Sequence, residues 1–322
     1  MDDFHLAILA NAGLLSFLGL SCWILLVAGM VSFGQQAFFA IGAYVAAFGT
    51  VTGALPLPLA LAAGLGAGAA AGTLLGLITR RLGGFRFAVA SLAFAEAVRL
   101  GLDLLVLRVP GPGGGPVGPG GTDGFGGIRL LYESGTTAGG FVALIWGTLA
   151  AVLVLLTVAE RTGPGRGLRM IGEDPVLAEA LGRDPGRLRL AAAAAAGAVA
   201  ALGGGLFAHY TTYVEPSNFG LMIGIHGLAY ALIGGLGTAV APLLGVGFDI
   251  GLLEGARAFQ SYRMVVFGGA VAVFLIWRPR GILDEALVAR LALLFRRLAD
   301  RAPGPGPAGA RPTSPQDAKE PT

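Results

Sequence analysis

The stretch LAILANAGLLSFLGLSCWILLVAGMV, residues 6–31, contains no charged side chain. Residues 56–79 and 138–159 are likewise apolar and uncharged. An α-helix needs about 20 such residues to cross the hydrocarbon core of a bilayer. Each stretch therefore predicts a membrane-spanning helix. The first one is too long for the apolar part of a signal peptide and lacks a small-residue cleavage site, so we expect it to be retained.

The composition of the whole chain indicates a membrane protein and excludes an ordinary soluble domain. Of 322 residues, 55% are hydrophobic and 13% are charged, whereas a soluble domain has about 45–50% and about 25%. The single cysteine, Cys22, excludes an intrachain disulfide and a cysteine-based metal site. The only lysine is Lys319, so residues 1–318 lack the lysine that a nucleotide-binding P-loop requires. An ATPase serving this chain would be another polypeptide.

We predict an all-α fold, a polytopic transmembrane helix bundle of about 8–10 membrane segments, some short or broken, with one short cytoplasmic helix. The transmembrane domain covers residues 1–283. Its second and seventh segments are short enough to be re-entrant or broken, because a helix rises about 1.5 Å per residue. The nine candidate segments are residues 6–31, 37–52, 56–79, 87–107, 138–159, 190–212, 221–236, 239–256 and 263–278.

Arginine placement predicts the orientation of the chain. Arginines cluster in residues 80–86, 161–189 and 278–297, and loops rich in Arg stay in the cytoplasm. Nine crossings put all three clusters on that side and the N-terminus outside. The Gly/Pro-rich loop at about 108–137 is then external, and its residues 110–127 should form no regular element. Residues 284–322 should be a cytoplasmic, mostly disordered tail.

Glycines recur every four residues in the third segment, which places them on one helix face. Such a stripe lets another helix backbone approach closely in a membrane. We interpret it as a site of tight helix packing, and a role in lining a solute path is the less favoured alternative. The glycines concerned are Gly64, Gly68, Gly72 and Gly76.

The loop at about 160–190 contains a two-turn helix with both ends specified. Asp174 suits the N-cap, Pro175 the first helical position and Gly182 the C′ position. The apolar residues of this helix share one face and need a surface to pack against. A groove in a cytoplasmic ATPase and the lipid headgroups are both compatible with that face. The residues on it are Val176, Leu177, Ala180 and Leu181.

Polar residues inside the predicted membrane segments are candidates for structural pairing or for a translocation path. Glu96, Arg99 and Asp103 have the spacing of one helix face, and pairing with one another is the default. Short, interrupted helices often carry the polar groups near substrate in transporters, which makes the second segment a candidate. For three isolated residues, His226, Asp249 and Glu254, we expect buried hydrogen-bonded roles. The candidate path residues are Ser32, Gln35, Gln36, Glu96, Arg99 and His226.

Several separated stretches resemble permeases of the branched-chain amino-acid ABC importer family, of the LivM type. GRGLRMIGEDPVLAEALG (165–182) resembles the family pattern GRALRAIRED…AAEALG, and SFGQQAFFAIGAY (32–44) resembles SLGHAAFFGIGAY. FAVASLAFAEAVRL (87–100) is similar to FALVTLAFAEIVRL, GGLGTAVAPLLG (234–245) to GGLGTLWGPVLG, and WRPRGIL (277–283) to FRPQGLL. Outside the quoted stretches, the chain departs from the family at Arg183 after EALG, where an aliphatic residue is expected, and at His226, where relatives often carry glutamate. They bear on substrate identity more than on fold.

The resemblance implies a permease subunit without its own ATPase site, in the bacterial inner membrane, that moves branched-chain or related amino acids. Its implied partners are two cytoplasmic ABC ATPase subunits that bind the ATP, a second permease of the LivH type and an extracytoplasmic solute-binding protein. We expect no nucleic acid, no metal and no cofactor in this chain. The implied ATPase-coupling residues, with Glu173 and Asp174 setting the helix start, are Glu173, Asp174, Val176, Leu177, Ala178, Glu179, Ala180, Leu181 and Gly182.

Two other function classes compete with this reading. An ion-coupled secondary transporter of small solutes would need a titratable group deep in the bundle, for which Glu96, Asp249 or Glu254 are available. A membrane enzyme would need a catalytic constellation, but the three histidines, His5, His209 and His226, are scattered along the sequence. The short cytoplasmic helix and the family resemblance favour the importer.

Overall fold

Every predicted membrane segment corresponds to an α-helix in a computed structural model of the chain, which describes residues 3–53, 55–111, 115–129, 135–255, 263–278 and 281–283. The predicted tail at 284–322 and the side chain of Glu254 lie outside the described part. The helices are α1 (Asp3–Val27), α2 (Gln35–Val51), α3 (Leu57–Ile78), α4 (Phe85–Leu104), α5 (Ala138–Arg161), α6 (Gly163–Glu173), α7 (Pro175–Ala180), α8 (Pro185–Thr211), α9 (Leu221–Gly234), α10 (Ala241–Gly255) and α11 (Arg263–Trp277).

Within the described residues, five helical stretches are long and apolar enough to cross a membrane. They are α1, α3, α5, α8, and α9 together with the 3₁₀ turn Pro216–Phe219 that precedes it. The shorter α2 and α10 are also apolar. The prediction of an all-α, polytopic membrane helix bundle is therefore confirmed. One detail is wrong, because residues 163–180 form two helices, α6 and α7, where we predicted one.

The centre of the bundle is α8, which packs along α3, α2 and α1. A Cβ at Gly68 would overlap Gly197 and Ala201 of α8, and one at Gly72 would overlap the Ala193 carbonyl. The contact is reciprocal, since a Cβ at Gly197 would overlap the carbonyl of Gly68. Lipid tails provide no hydrophobic drive between helices, so this close backbone approach supplies the attraction. The predicted glycine stripe is a packing surface.

Helix α2 begins inside the bundle. Its first residue, Gln35, is fully buried and contacts Ser21 of α1. Ser21 also reaches the carbonyl oxygen of Ala196, 2.8 Å away in α8, and Ala196 lies 11 positions beyond the start of α8, or about 16 Å. Residues 28–34 therefore enter the bundle without helical structure before α2 begins. The short second segment is an interrupted one.

The described parts of the three arginine-rich segments lie at one end of the bundle. Gly76, near the end of α3, faces Leu190 near the start of α8, which brings residues 80–86 to the end that carries α6 and α7. Residues 281–283 bind the turn after α9 at this same end, as Leu283 N donates to Gly234 O over 2.8 Å. This grouping agrees with the predicted orientation. We call it the arginine-rich end.

The opposite end carries the Gly/Pro-rich loop, which is more regular than predicted. Strands β1 (Val109–Pro110) and β2 (Pro116–Val117) pair antiparallel, and a 3₁₀ turn covers Gly121–Asp123. Phe125 is fully buried and pairs through its backbone with Val214. Our expectation of no regular element in residues 110–127 was wrong, because contacts with distant residues order a segment of low local propensity.

We predict that Gly68→Leu lowers the apparent melting temperature of the protein in detergent. The leucine would force apart α3 and α8, and overpacking of this kind costs about 1–3 kcal/mol. Gly66→Leu is the matched control, because Gly66 lies on the same helix with open space around its Cα. Thermal unfolding followed by size-exclusion chromatography measures both. Equal melting temperatures for the two variants would contradict the packing assignment.

Candidate coupling surface and translocation path

The loop at about 160–190 folds into α6 and α7, which we call the coupling unit. Asp174 caps α7, because its Oδ1 accepts hydrogen bonds from Val176 N at 2.9 Å and Leu177 N at 3.0 Å. At the other end Gly182 has φ +78°, and Arg183 N donates to Ala178 O at 2.9 Å. This is the glycine-terminated C-cap that the sequence predicts. Both predicted ends of α7 are confirmed.

Helix α7 presents an apolar patch to its surroundings. Val176 is 75%, Leu177 54% and Leu181 62% exposed, and we call these three residues the coupling surface. Apolar groups held on a capped, ordered helix favour association with a partner. Glu179, Ala180 and Gly182 are exposed beside them.

Two coupling residues differ from their predicted roles. Ala178 is fully buried, so its side chain packs inside the chain and is not available to a partner. Glu173 is the last residue of α6, and the cap of α7 comes from Asp174 alone. The sequence did carry a signal for α6. Thr162 caps it and Pro164 occupies its first turn, which is a standard helix start.

Helix α6 places the coupling unit against the end of α1. Ile171 is buried, and a Cβ at Gly172 would overlap the carbonyl of Val27. Gly29, which adopts φ +72°, lies against Gly172 in the same contact. The unit is thus in backbone contact with the segment that leads from α1 into the buried start of α2.

The start of α2 holds a buried polar cluster of Ser32, Gln35 and Gln36. Gln35 Nε2 donates to Ser32 Oγ at 3.1 Å, and its Oε1 accepts from Ser21. Phe33 N donates to Ser91 Oγ of α4 at 3.0 Å. These bonds satisfy polar groups of the irregular segment, as a lipid environment requires. Ser32 and Gln35 therefore have clear structural functions.

Gln36 is different from its two neighbours. It is 1% exposed, yet neither its Nε2 nor its Oε1 has a hydrogen-bond partner. Its amide lies against Gly224 of α9, where a Cβ would overlap it. A buried amide without partners costs about 1–3 kcal/mol per group. The Gln36 amide is thus a candidate for hydrogen bonds that form only in another conformation.

Glu96, Arg99 and Asp103 form a separate cluster along α4. Arg99 Nε donates to Glu96 Oε2 at 2.9 Å, and Nη1 donates to Asp103 Oδ2 at 3.0 Å. The predicted pairing on one helix face is confirmed. The three side chains are 23–40% exposed. Among the described residues no hydrogen bond joins this cluster to the start of α2.

His226 and Asp249 lie on α9 and α10. His226 Nδ1 is 2.7 Å from Met222 O of its own helix, and its ring faces Tyr230. Tyr230 donates to Asp249 Oδ2 at 2.7 Å in a buried contact. The buried role expected for Asp249 is confirmed, whereas His226 is only partly buried. In the described part of the chain, no three His, Cys, Asp or Glu residues gather in a metal-binding arrangement.

A sequence profile of the family described as branched-chain amino acid transport system / permease component matches residues 4–277. The chain belongs to this family. The match spans the helical bundle from α1 to α11 and includes the coupling unit. It confirms the resemblance inferred from the separated motifs, and with the apolar helices it makes this chain a multi-pass membrane protein.

Individual relatives agree with this assignment. The permease is 31% identical over 278 residues to the high-affinity branched-chain amino acid transport system permease protein LivM of Escherichia coli K12, covering 80% of this chain and 64% of that one. LivM of Salmonella typhimurium is 30% identical with the same coverage. LivH of Escherichia coli K12 is 29% identical over 153 residues, 46% of this chain and 49% of LivH. The permease thus spans less than two thirds of these relatives' lengths. No solved structure matches it.

We predict that Asp174→Ala loosens α7 of this permease. Loss of an N-cap side chain costs about 1 kcal/mol of helix stability, so backbone amides of residues 176–181 should exchange with deuterium about fivefold faster. Hydrogen exchange in detergent with mass spectrometry measures this. Glu179→Ala removes an exposed acid from the same helix without touching the cap and should leave exchange unchanged. Equal exchange in both variants would show that Asp174 does not hold the helix.

Proposed function

We propose that this chain is the membrane-spanning permease subunit of an ABC importer in the bacterial inner membrane, moving branched-chain or related amino acids. ATP would be bound and hydrolysed by two separate ATPase subunits, since residues 1–318 contain no lysine for a P-loop. A second permease of the LivH type and an extracytoplasmic solute-binding protein complete the complex. Family membership and the names of the LivM and LivH relatives support this assignment.

The exposed coupling surface carries the proposal. Val176, Leu177 and Leu181 offer apolar area at the arginine-rich end, where cytoplasmic ATPases would bind. Full burial of each such side chain contributes about 2 kcal/mol. The cap at Asp174 and the turn at Gly182 keep this surface ordered before a partner arrives, which lowers the entropic cost of association.

The mechanism that follows is alternating access. Closure of the ATPase dimer would displace the two coupling units, and the contact of Gly172 with Val27 and Gly29 carries the displacement to the segment before α2. The permease performs no chemistry. It changes state because the ATPase, in its ATP-bound and ATP-free forms, contacts the two conformations differently.

The first test is to isolate the permease from its native membrane in mild detergent and identify the bound chains. We expect two ATPases and a second permease with the wild type and little bound ATPase with Leu177→Glu, because a buried, unpaired carboxylate opposes docking. We expect the affinity for the ATPase to fall about tenfold, because the variant loses one apolar contact and must desolvate a carboxylate.

Glu179→Gln is the control for this experiment, because Glu179 is an exposed neighbour on the same helix. It should retain the ATPases. Wild-type protein that isolates alone, yet carries solute into vesicles under an ion gradient, would instead favour a secondary transporter. Asp249 would then be its first candidate ion site, because its Oδ1 is buried without a partner.

We place the solute path at the junction of α2 and α9, where Gln36 meets Gly224. The unpaired amide of Gln36 would gain hydrogen bonds from a passing amino acid once the helices separate. The charged cluster on α4 is satisfied internally, so its side chains have less to gain from solute. The family pattern SLGHAAFFGIGAY has alanine at the position of Gln36, so the unpaired amide is a departure of this chain from that pattern.

Gln36→Met tests this placement by keeping the side-chain length and removing both polar atoms. We expect a higher melting temperature, because two unsatisfied buried groups costing about 1–3 kcal/mol each are removed. We also expect slower solute uptake at an unchanged rate of ATP hydrolysis in proteoliposomes. A stabilised variant with wild-type uptake would remove Gln36 from the path.

A further inference from the structure

We propose that Arg169 is a positioning residue that fixes the coupling unit to the turn between α9 and α10, so that α7 and α9 move as one body. The inference rests on the proposed function, because the movement begins at the ATPase. It adds a second route from the coupling surface to the solute path, distinct from the contact with the end of α1.

The guanidinium of Arg169 joins three segments of the chain. Its Nη1 donates to Leu236 O at 2.9 Å, and its Nη2 donates to Gly237 O at 3.1 Å. Nη2 also pairs with Glu160 near the end of α5. The side chain is only 23% exposed, and charged hydrogen bonds in such a setting are stronger than those in water. Arg169 therefore binds the turn through backbone atoms.

The turn itself is held from its other side by residues 281–283. Ile282 N donates to Ile233 O, and Leu283 N donates to Gly234 O, both over 2.8 Å. Gly237 N donates back to Leu283 O over 3.0 Å. Arg169 donates to the next two carbonyls used, those of Leu236 and Gly237. Four of the five carbonyl oxygens in residues 233–237 therefore accept hydrogen bonds from other segments. This turn has little freedom to move independently of the coupling unit.

Three of the stretches that carry the family resemblance meet here, GRGLRMIGED, GGLGTAVAPLLG and WRPRGIL. These stretches are far apart in sequence. In the first two, the contacting residues Arg169 and Leu236 are 67 positions apart. The guanidinium also lies 5.9 Å from the centre of the Trp23 ring in α1, within range of a cation–π contact. One side chain thus contacts α1, α5 and the turn after α9.

Helix α9 connects this turn to the proposed path. Gly234 lies ten positions after Gly224, which corresponds to about 15 Å of helix. Gly224 lies against the Gln36 amide. A displacement applied to α6 would move the turn through Arg169. Because α9 is rigid, its N-terminal end, which carries Gly224, would then shift relative to α2. A rigid helix transmits such a shift, whereas a loose contact would absorb it.

The test compares two variants with wild type in proteoliposomes that contain the whole importer with its ATPases and binding protein. Arg169→Lys keeps the charge beside Glu160 but loses the planar fork that reaches two carbonyls. The double variant Glu160→Gln, Arg169→Met removes the link without leaving an unpaired carboxylate. ATP hydrolysis and uptake of radiolabelled leucine are measured in the same vesicles. We expect ATP hydrolysis to persist and solute moved per ATP to fall about tenfold in the double variant.

Arg187→Met is the matched control, because Arg187 belongs to the same loop, is 89% exposed and pairs with Asp184. It should keep the wild-type ratio of solute to ATP. An unchanged ratio in the assembled double variant would overturn the proposal, and so would failure of both Arg169 variants to assemble, which would make Arg169 a folding residue. Wild-type vesicles that hydrolyse no ATP would instead contradict the proposed function and this inference with it.

Discussion

The close packing of α8 against α3 and α2 is the constraint on which the rest of the structure depends. Gly68, Gly72 and Gly197 allow backbones to touch, and larger side chains there would separate the helices. Since the N-terminal end of α8 follows the coupling unit directly, this packing also fixes where that unit emerges. A bundle held by apolar side chains alone would gain little in lipid, because the tails are equally apolar. Small residues therefore set both the core and the geometry of the arginine-rich end.

That packing leaves an irregular segment inside the bundle, and its polar groups must be satisfied there. Ser32, Gln35 and Ser91 do so with bonds of 3.0–3.2 Å to one another and to the backbone. A polar residue near an interrupted membrane helix can thus have one of two roles. It can bond to polar groups of the chain itself, or it can contact solute. The bonding pattern separates them. Both polar atoms of Gln35 have a hydrogen-bond partner, whereas neither polar atom of Gln36, which is equally buried, has one.

The sequence predicted the features that depend on local pattern and missed those that depend on tertiary contact. Each of the nine segments predicted from hydropathy coincides with a helix to within about five residues at either end, and the chemistry of Asp174 and Gly182 located both ends of α7. Spacing alone paired Arg99 with Glu96 and Asp103. The sequence did not predict the burial of Ala178, which depends on how α7 packs. It also did not predict the order in the Gly/Pro-rich loop, where the backbone of Phe125 pairs with the distant Val214. Arg169 appeared only as one arginine among several, since nothing local shows which carbonyls it binds.

The energy available at the coupling surface also bears on how many permease chains the proposed importer needs. Burying the exposed fractions of Val176, Leu177 and Leu181 contributes about 4 kcal/mol at about 2 kcal/mol per side chain. Driving a two-state equilibrium from 1:99 to 99:1 takes about 5.5 kcal/mol of differential contact. One coupling surface therefore supplies less than this free energy, even if all of its contacts form in only one of the two states. Two permease chains with equal surfaces would supply about 8 kcal/mol, which exceeds the requirement and leaves room for contacts made in both states. The proposed importer, with two permease chains, agrees with this balance, and links such as Arg169 join each surface to its helices.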